Sequence, residues 1–98
     1  MSIEIVRSTT FDAWLSSLRD RAGRARILVR IDRLAAGNTG DLKSVGNGVS
    51  EMRIDFGPGY RVYLMHKGPL LVVLLAGGDK GTQAADIANA KRIAMQWE

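Results

Sequence analysis

The sequence has no cysteine and a single histidine, His66, among its 98 residues. Without cysteine the chain has no disulfide framework, no thiol nucleophile and no thiolate ligand for a metal. One histidine in the absence of cysteine also argues against a dedicated zinc site. We therefore expect a protein that works without a metal and without a small-molecule cofactor.

Long apolar segments are also missing. No apolar run approaches the roughly 20 residues that a helix needs to cross a bilayer. The first ten residues lack a charged segment followed by an apolar stretch, so they do not resemble a signal peptide. A chain of this length fits one domain with a modest core. We expect residues 1–98 to form that domain in the cytoplasm, without a membrane partner.

Acidic residues are outnumbered by basic ones, which gives the chain a net charge of +4. Ten of the fourteen basic residues are arginine, the side chain that suits bidentate contacts with phosphate. Clustered Lys and Arg release counterions from a polyanion when they bind it. The balance favours nucleic acid or an acidic protein as a partner, although a basic protein without such a partner has the same composition.

The first third of the sequence alternates briefly and then takes a helical period. Ile3 and Ile5 flank a polar residue, which predicts a short opening strand. Apolar residues recur at helical spacing over residues 9–36, and we expect a helical hairpin there with its bend at Gly23. The Gly- and Asn-rich stretch that follows predicts a loop, with a short edge strand over residues 42–45.

The rest of the sequence predicts an antiparallel sheet and a final helix. Residues 51–56 alternate between polar and apolar side chains, and residues 61–65 form the second strand of a hairpin across the turn Gly57-Pro58-Gly59. Residues 70–76 are apolar throughout, as in a central strand covered on both faces. The order β-α-α-β-β-β-α predicts an α+β fold, in which a curved antiparallel sheet carries the helical hairpin on one face. The final helix starts after Thr82, and we expect it to carry these residues toward the core: Ile87, Ala90, Ala94 and Trp97.

Three polar side chains, Arg53, Arg61 and Tyr63, fall on one face of the predicted hairpin, opposite its apolar residues. Neighbouring strands lie about 4.8 Å apart, so we expect Arg53 and Arg61 to be cross-strand neighbours. Two like charges at that separation cost free energy unless Glu51 or Asp55 pairs with them or an anion lies between them. The face is therefore either an ion-paired, solvated surface or a clamp for phosphate.

Motifs of common hydrolases and nucleotide-binding proteins are missing. There is no HExxH, no Ser/His/Asp arrangement, and residues 77–81, Gly-Gly-Asp-Lys-Gly, lack the spacing of a Walker loop. Metal-free cleavage of RNA fits the polar face, because the substrate's 2′-hydroxyl is the nucleophile and arginines with Lys80 can stabilise the charged transition state. His66 has strand parity away from Arg61. Tyr63 is the better-placed base, provided that the arginines lower its pKa.

A second basic set lies on the predicted helical hairpin. Arg26, Arg30 and Arg33 share one stripe of its second helix, and Arg19 precedes them by a heptad if the bend permits. Such a stripe is commonly a solvated helix face, but it also suits docking on structured RNA. We take these three arginines, with Lys43 of the predicted edge strand, as the candidate RNA-binding residues.

The C-terminal half resembles a known family. Residues 49–90, VSEMRIDFGPGYRVYLMHKGPLLVVLLAGGDKGTQAADIANA, resemble the RelE/ParE superfamily of toxin–antitoxin toxins in its HigB-like branch, the phage-type addiction module killer proteins. The segments before residue 49 are similar to the helical hairpin of that branch and its lead into the sheet. The motifs that carry the resemblance are Glu51-Met52-Arg53, Gly59-Tyr60-Arg61-Val62-Tyr63, and Gly77-Gly78-Asp79-Lys80 with Gln83.

The resemblance implies a toxin that cuts messenger RNA on the ribosome and so inhibits translation. By analogy Arg61 is the phosphate-stabilising arginine, Arg53 the basic residue of the preceding strand, and Lys80 the basic residue after the last strand. RelE-type nucleases carry a C-terminal tyrosine that residues 82–90 lack, so Tyr63 is the candidate substitute.

The resemblance also implies a cognate antitoxin, often a helix-turn-helix DNA-binding protein. We expect it to cover Arg53 and Arg61 or to displace the last helix. Two alternatives keep the same scaffold. One is a ParE-like toxin that binds DNA gyrase without cleaving RNA, and the other is an inactive protein that still binds antitoxin.

Overall fold

The computed structural model describes residues 2–97, which form a five-stranded sheet with helices on both faces. None of the helices in this range is long and apolar enough to span a membrane. The elements in chain order are β1 Glu4–Arg7, α1 Thr9–Ser17, α2 Arg21–Ala35, β2 Leu42–Gly46, β3 Val49–Ile54, β4 Tyr60–His66, β5 Leu71–Asp79, a 3₁₀ turn Lys80–Thr82, and α3 Gln83–Gln96.

Side-chain caps set the starts of α1 and α2. The Ser8 hydroxyl accepts a hydrogen bond from the Phe11 N–H at 3.0 Å and donates one to the Leu75 carbonyl at 2.7 Å, which ties the start of α1 to β5. Asp20 caps α2 by accepting from the Gly23 N–H at 2.9 Å. Both caps satisfy amide groups that have no partner within their own helix.

The predicted helical hairpin over residues 9–36 is confirmed, but its bend does not lie at Gly23. Residues 18–20 separate the two helices, so Gly23 is in the first turn of α2 and Arg19 lies outside the arginine stripe. A Cβ added at Gly23 would come within 2.5 Å of Tyr60 Cε2. The glycine therefore allows α2 to pack closely on the sheet and does not break the helix.

The sheet has the order β1-β5-β4-β3-β2, and the predicted edge strand over residues 42–45 is confirmed as β2. The other three strand pairs are antiparallel, but β1 runs parallel to β5, from Glu4 opposite Leu71 to Arg7 opposite Leu74. The expectation of an antiparallel sheet is wrong at this edge. Alternation of side chains predicts that a strand exists, but it carries no information on the direction of a distant partner.

Two apolar layers enclose the sheet, and the prediction that residues 70–76 are covered on both faces is confirmed. Alternate residues of β5 pack under α1 and α2 on one face and under α3 on the other. α3 buries Ala90 and Ala94 as predicted, together with Ile93. The expectation that Trp97 points into the core is wrong, since α3 ends at Gln96 and the side chain beyond it is 38% exposed.

Candidate functional site

An open groove of about 870 Å³ lies between α2, the turn after β3 and the residue that follows β5. It joins the two basic sets that the sequence places on separate elements, because α2 packs beside β3. Two carboxylates, Asp41 and Asp55, also line it. We call this surface the basic groove. Its cationic residues are Arg26, Arg30, Arg33, Arg53, Arg61 and Lys80.

An arginine pair forms part of the lining of the basic groove. Arg53 of β3 and Arg61 of β4 are directly opposite each other, which confirms the predicted cross-strand pairing. Oε1 of Glu51 accepts a hydrogen bond from Arg53 Nε at 3.2 Å and lies 3.9 Å from Arg61 Nε. The Arg53 side chain is 42% exposed and that of Arg61 only 12%, so Arg61 is the deeper of the two.

Glu51 is a buried carboxylate, with only 1% of its side chain exposed. Its second oxygen, Oε2, accepts a hydrogen bond from Gln83 Nε2 at 2.6 Å, so the first residue of α3 contacts the site. Burial acts to raise the pKa of Glu51, but hydrogen bonds from Gln83 and Arg53 and the charge of Arg61 outweigh it and hold the pKa below its usual value. Glu51 is therefore an anion at neutral pH and offsets the charge of the arginine pair.

Tyr63 shares the sheet face of Arg61, as predicted, but it is not exposed in the groove. α3 covers this part of the face, and Tyr63 is completely buried. Burial, followed by the negative charges of Glu51 and Asp86, raises the pKa of Tyr63. The pKa shift is opposite in direction to the lowered pKa that a general base requires, so the expectation of Tyr63 as the base is wrong. The physical reason is that α3 covers the phenol.

The wall of the basic groove is formed by the arginine stripe of α2. The Arg26 guanidinium lies 4.8 Å from the centre of the Phe56 ring, at a distance typical of a cation–π contact. Arg30 packs against Gly40, where a Cβ would come within 2.5 Å of Nη1 and where φ is +58°. The loop after α2 and the turn after β3 thus hold two of the stripe's guanidinium groups in place.

The remaining candidates lie at the rim of the basic groove or outside it. Lys80 is exposed at the rim of the groove, close to the turn after β3. A Cβ added at Gly59 in this turn would lie 3.6 Å from the Cβ of Lys80. Lys43 is exposed on β2 opposite Glu51 and is not part of the groove's lining. His66 is exposed at the end of β4 and lines a second groove, beside Lys67.

Three residues take part in the site without a signal of that role in the sequence. The spacing of Gln83 does not indicate a bond to Glu51, and nothing marks Phe56 as a partner of Arg26. Gly40, which packs against Arg30, belongs to a loop with the composition of a tight turn. Among residues 2–97, no three His, Asp or Glu side chains are grouped to hold a metal ion. The arrangement as a whole can bind an oxyanion and stabilise negative charge on it.

Comparison with known proteins identifies a relative that is close in sequence and structural neighbours that share the fold. No protein-family model matches the sequence. An uncharacterized protein of Haemophilus influenzae strain Rd is 52% identical over 96 residues, which cover 98% of this chain and 97% of the relative.

The structural neighbours are far more distant in sequence. A double arginine-to-alanine variant of the Escherichia coli toxin RelE in its free state has a TM-score of 0.76 at 12% identity, covering 94% of this chain and 97% of RelE. The toxin–antitoxin complex RelBE2 of Mycobacterium tuberculosis has a TM-score of 0.62 at 18% identity, covering 82% of this chain and 100% of that one. The chain therefore has the fold of RelE, and it belongs to one family with the Haemophilus influenzae protein.

Proposed function

We propose that this chain is the toxin of a type II toxin–antitoxin system, of the HigB-like branch, and that it cleaves messenger RNA on the ribosome. The likeness to RelE supports the toxin role, and the basic groove supports RNA as the target. The observation that carries the proposal is the pair Arg53 and Arg61, placed side by side around a buried carboxylate. Two guanidinium groups in one groove suit a phosphodiester, whose two non-bridging oxygens can accept hydrogen bonds from both.

In the proposed reaction the 2′-hydroxyl of the message attacks the adjacent phosphorus, and the bond from phosphorus to the 5′-oxygen breaks. The products are a 2′,3′-cyclic phosphate and a 5′-hydroxyl, so no water is consumed. Arg61 and Arg53 donate to the non-bridging oxygens as negative charge grows on them, and Lys80 approaches from the rim. One preorganised donor of this kind contributes about 3–4 kcal/mol to stabilisation of the transition state.

The proton of the attacking hydroxyl needs an acceptor, and the departing 5′-oxygen takes up one proton in return, so the reaction is balanced. Tyr63 is buried and His66 lies outside the basic groove, so the carboxylates of its lining, Asp41 and Asp55, are the candidate acceptors. The arginine stripe of α2 binds phosphates on either side of the scissile bond. Lys43 lies outside the groove and contacts RNA beyond the cleaved segment.

The proposal includes a cognate antitoxin with a helix-turn-helix DNA-binding domain. The second structural neighbour is itself a toxin–antitoxin complex, which supports an antitoxin as the partner. An acidic segment of the antitoxin suits the basic groove, because complementary charge speeds association and fixes the register of the bound chain. Its docking site therefore includes Arg53 and Arg61, or it replaces α3 on the sheet.

Primer extension on a message translated in vitro tests the proposal, with wild type, Arg61→Ala and Arg92→Ala side by side. Arg92 is exposed on α3 outside the basic groove. Arg92→Ala is therefore a control that removes one positive charge, as Arg61→Ala does, without changing the groove. We expect cuts within codons from wild type and from Arg92→Ala, and a rate lower by about 10²–10³-fold for Arg61→Ala. Equal cleavage rates for all three proteins would show that Arg61 is not part of the catalytic site. A wild type that arrests growth and leaves messages intact would exclude messenger-RNA cleavage.

One observation favours a second function, which is binding of DNA gyrase in the manner of ParE-like toxins. Within residues 2–97, neither a histidine nor a tyrosine side chain lines the basic groove, and a toxin that only binds its target needs no such proton acceptor. Supercoiling by purified gyrase distinguishes the two functions. Inhibition without cut messages would establish the binding function, and unaffected supercoiling would exclude it. A wild type that does neither would be an inactive protein with a toxin fold.

A further inference from the structure

We infer that Glu51 is a positioning residue, which from its buried place orients Arg53 and Arg61 toward phosphate, and that Gln83 of α3 holds Glu51 in turn. The inference rests on the proposed function for the reaction that the arginines perform. The orientation of the two guanidinium groups is independent of the proposed function and can be measured in the isolated protein.

The two arginines repel each other. Arg53 and Arg61 are directly opposite each other on neighbouring strands, where two like charges destabilise the pair. Oε1 of Glu51 lies within 3.9 Å of both Nε atoms and compensates both charges from one side. Arg53 Nε donates a hydrogen bond to this oxygen, whereas Arg61 Nε is buried at 3.9 Å from it, beyond hydrogen-bond distance. The four N–H groups on the two Nη atoms of each guanidinium are left for a ligand.

The carboxylate of Glu51 is buried. A carboxylate that is 1% exposed keeps its charge only if its lone pairs are satisfied. Gln83 supplies a hydrogen bond at 2.6 Å to the oxygen that does not face the arginines. Because Gln83 is the first residue of α3, the docking of that helix on the sheet is coupled to the geometry of the arginine pair.

Orientation and simple electrostatics make opposite predictions for Glu51→Gln. If Glu51 acts only through its charge, its removal makes the basic groove more positive, and anions bind more tightly. If Glu51 acts by positioning, the arginine pair separates and phosphate binds less well despite the added positive charge. Glu4→Gln is the matched control, because Glu4 is an exposed carboxylate on β1 and not part of the groove.

The first experiment follows the arginine side-chain N–H signals by nuclear magnetic resonance during titration with inorganic phosphate. In wild type and in Glu4→Gln, we expect the Nε–H signals of Arg53 and Arg61 to be dispersed and protected from exchange. In Glu51→Gln, both should move to the positions of solvated arginine, and the affinity for phosphate should fall about tenfold, as for one oriented hydrogen bond. Unchanged signals, or tighter binding of phosphate, would overturn the inference.

A second variant guards against a general loss of structure in Glu51→Gln. Gln83→Ala keeps the carboxylate and removes only its hydrogen bond to α3, and Gln96→Ala, exposed at the other end of that helix, is its control. We expect Gln83→Ala to broaden the same two arginine signals while the backbone amide spectrum stays that of wild type. An arginine spectrum identical to that of Gln96→Ala would show that the hydrogen bond from α3 does not affect the arginine pair.

The kinetic readout is a split between kcat and KM for cleavage of a translated message. Positioning predicts that Glu51→Gln lowers kcat at least tenfold, in addition to any rise in KM that follows from weaker binding of phosphate. Glu51→Asp, which keeps the charge, should recover part of the loss in kcat. Equal kcat for Glu51→Gln and wild type would refute the positioning role. If wild type does not cleave RNA, the proposed function fails, and the arginine signals and the phosphate titration still decide the role of Glu51.

Discussion

Arg61 and Tyr63 are two residues apart on β4 and share one face of the sheet, yet only one of them can meet a substrate. The Arg61 side chain opens into the basic groove, whereas Tyr63 lies under α3 with its pKa raised above the ordinary value of 10.0. A buried phenol that stays protonated at neutral pH cannot accept a proton from RNA. The surroundings of each side chain, more than its residue type or strand parity, decide its role here.

We therefore expect Tyr63→Phe to cleave messages at the rate of wild type and to change stability by less than about 1 kcal/mol at neutral pH. Its effect should appear in alkali. A group whose pKa is raised by folding stabilises the protein fully below its unfolded pKa and loses that contribution as the pH rises through the folded value. Above pH 10.0, the starting pKa of the phenol, the variant should lose stability less steeply than wild type.

Urea unfolding at a series of pH values measures the alkaline effect on Tyr63→Phe, and primer extension measures its activity. A correctly folded variant that cleaves far more slowly would show that α3 moves aside and exposes the hydroxyl during the reaction.

Residues close together in the sequence were easier to place in the site than distant ones. Alternation over residues 51–56 predicts that Glu51 and Arg53 share a face, and the turn at 57–59 brings Arg61 opposite. The contact between Glu51 and Gln83 spans 32 residues and depends on where α3 docks, which local periodicity does not encode.

At the scale of secondary-structure elements, two glycines of β5 explain how helices pack closely on both faces of one strand. A Cβ added at Gly77 would overlap with the indole of Trp14 from α1. A Cβ added at Gly78 would overlap with the carboxylate of Asp86 from α3 and lie 2.9 Å from Thr82 Oγ1. The Gly-Gly pair at 77–78 therefore provides clearance for helices, which accounts for a sequence that only superficially resembles a phosphate loop.

Alanine at these two positions should have unequal costs. Gly77→Ala requires the whole indole of Trp14 to shift within a packed layer, and we expect it to destabilise the fold by about 1–3 kcal/mol. Gly78→Ala meets the end of the short Asp86 side chain, which can rotate away. Alanine also lowers the conformational entropy of the unfolded chain, which stabilises the fold by about 0.4–1 kcal/mol and offsets much of the cost of moving Asp86. Chemical denaturation of both variants measures the difference, and equal costs would show that Asp86 is fixed as firmly as Trp14.

Elements with strong periodicity were predicted with the correct type and order, and the errors fall where tertiary contacts override local signals. Gly23 suggests a break because glycine weakens helices, but here Asp20 caps the helix and Tyr60 needs the space. The parallel pairing of β1 with β5 joins strands more than sixty residues apart, so no local pattern predicts it.

At the scale of the whole molecule, nine of the fourteen Lys and Arg side chains line two grooves. The basic groove gathers six cationic residues against two carboxylates. The second groove, of about 710 Å³ between the β2–β3 hairpin, the end of β4 and α3, is lined by His66, Lys67, Lys91 and Arg92 without an acidic residue. Net charge alone therefore does not indicate which surface binds a polyanion, although only the basic groove contains the fixed arginine pair.

The dependence of RNA binding on salt separates the two grooves. For single strands, the logarithm of the binding constant falls with the logarithm of salt concentration by about 0.7 per neutralised phosphate, so engagement of all six cations of the basic groove predicts a slope of about −4. A uridine oligonucleotide titrated by fluorescence anisotropy at several salt concentrations measures it. Arg30→Ala should reduce the slope by about 0.7, and Lys67→Ala should leave it unchanged. A slope that is reduced in Lys67→Ala and unchanged in Arg30→Ala would place the RNA in the second groove. Binding of wild type that does not depend on salt concentration would show that phosphates are not bound through these cations.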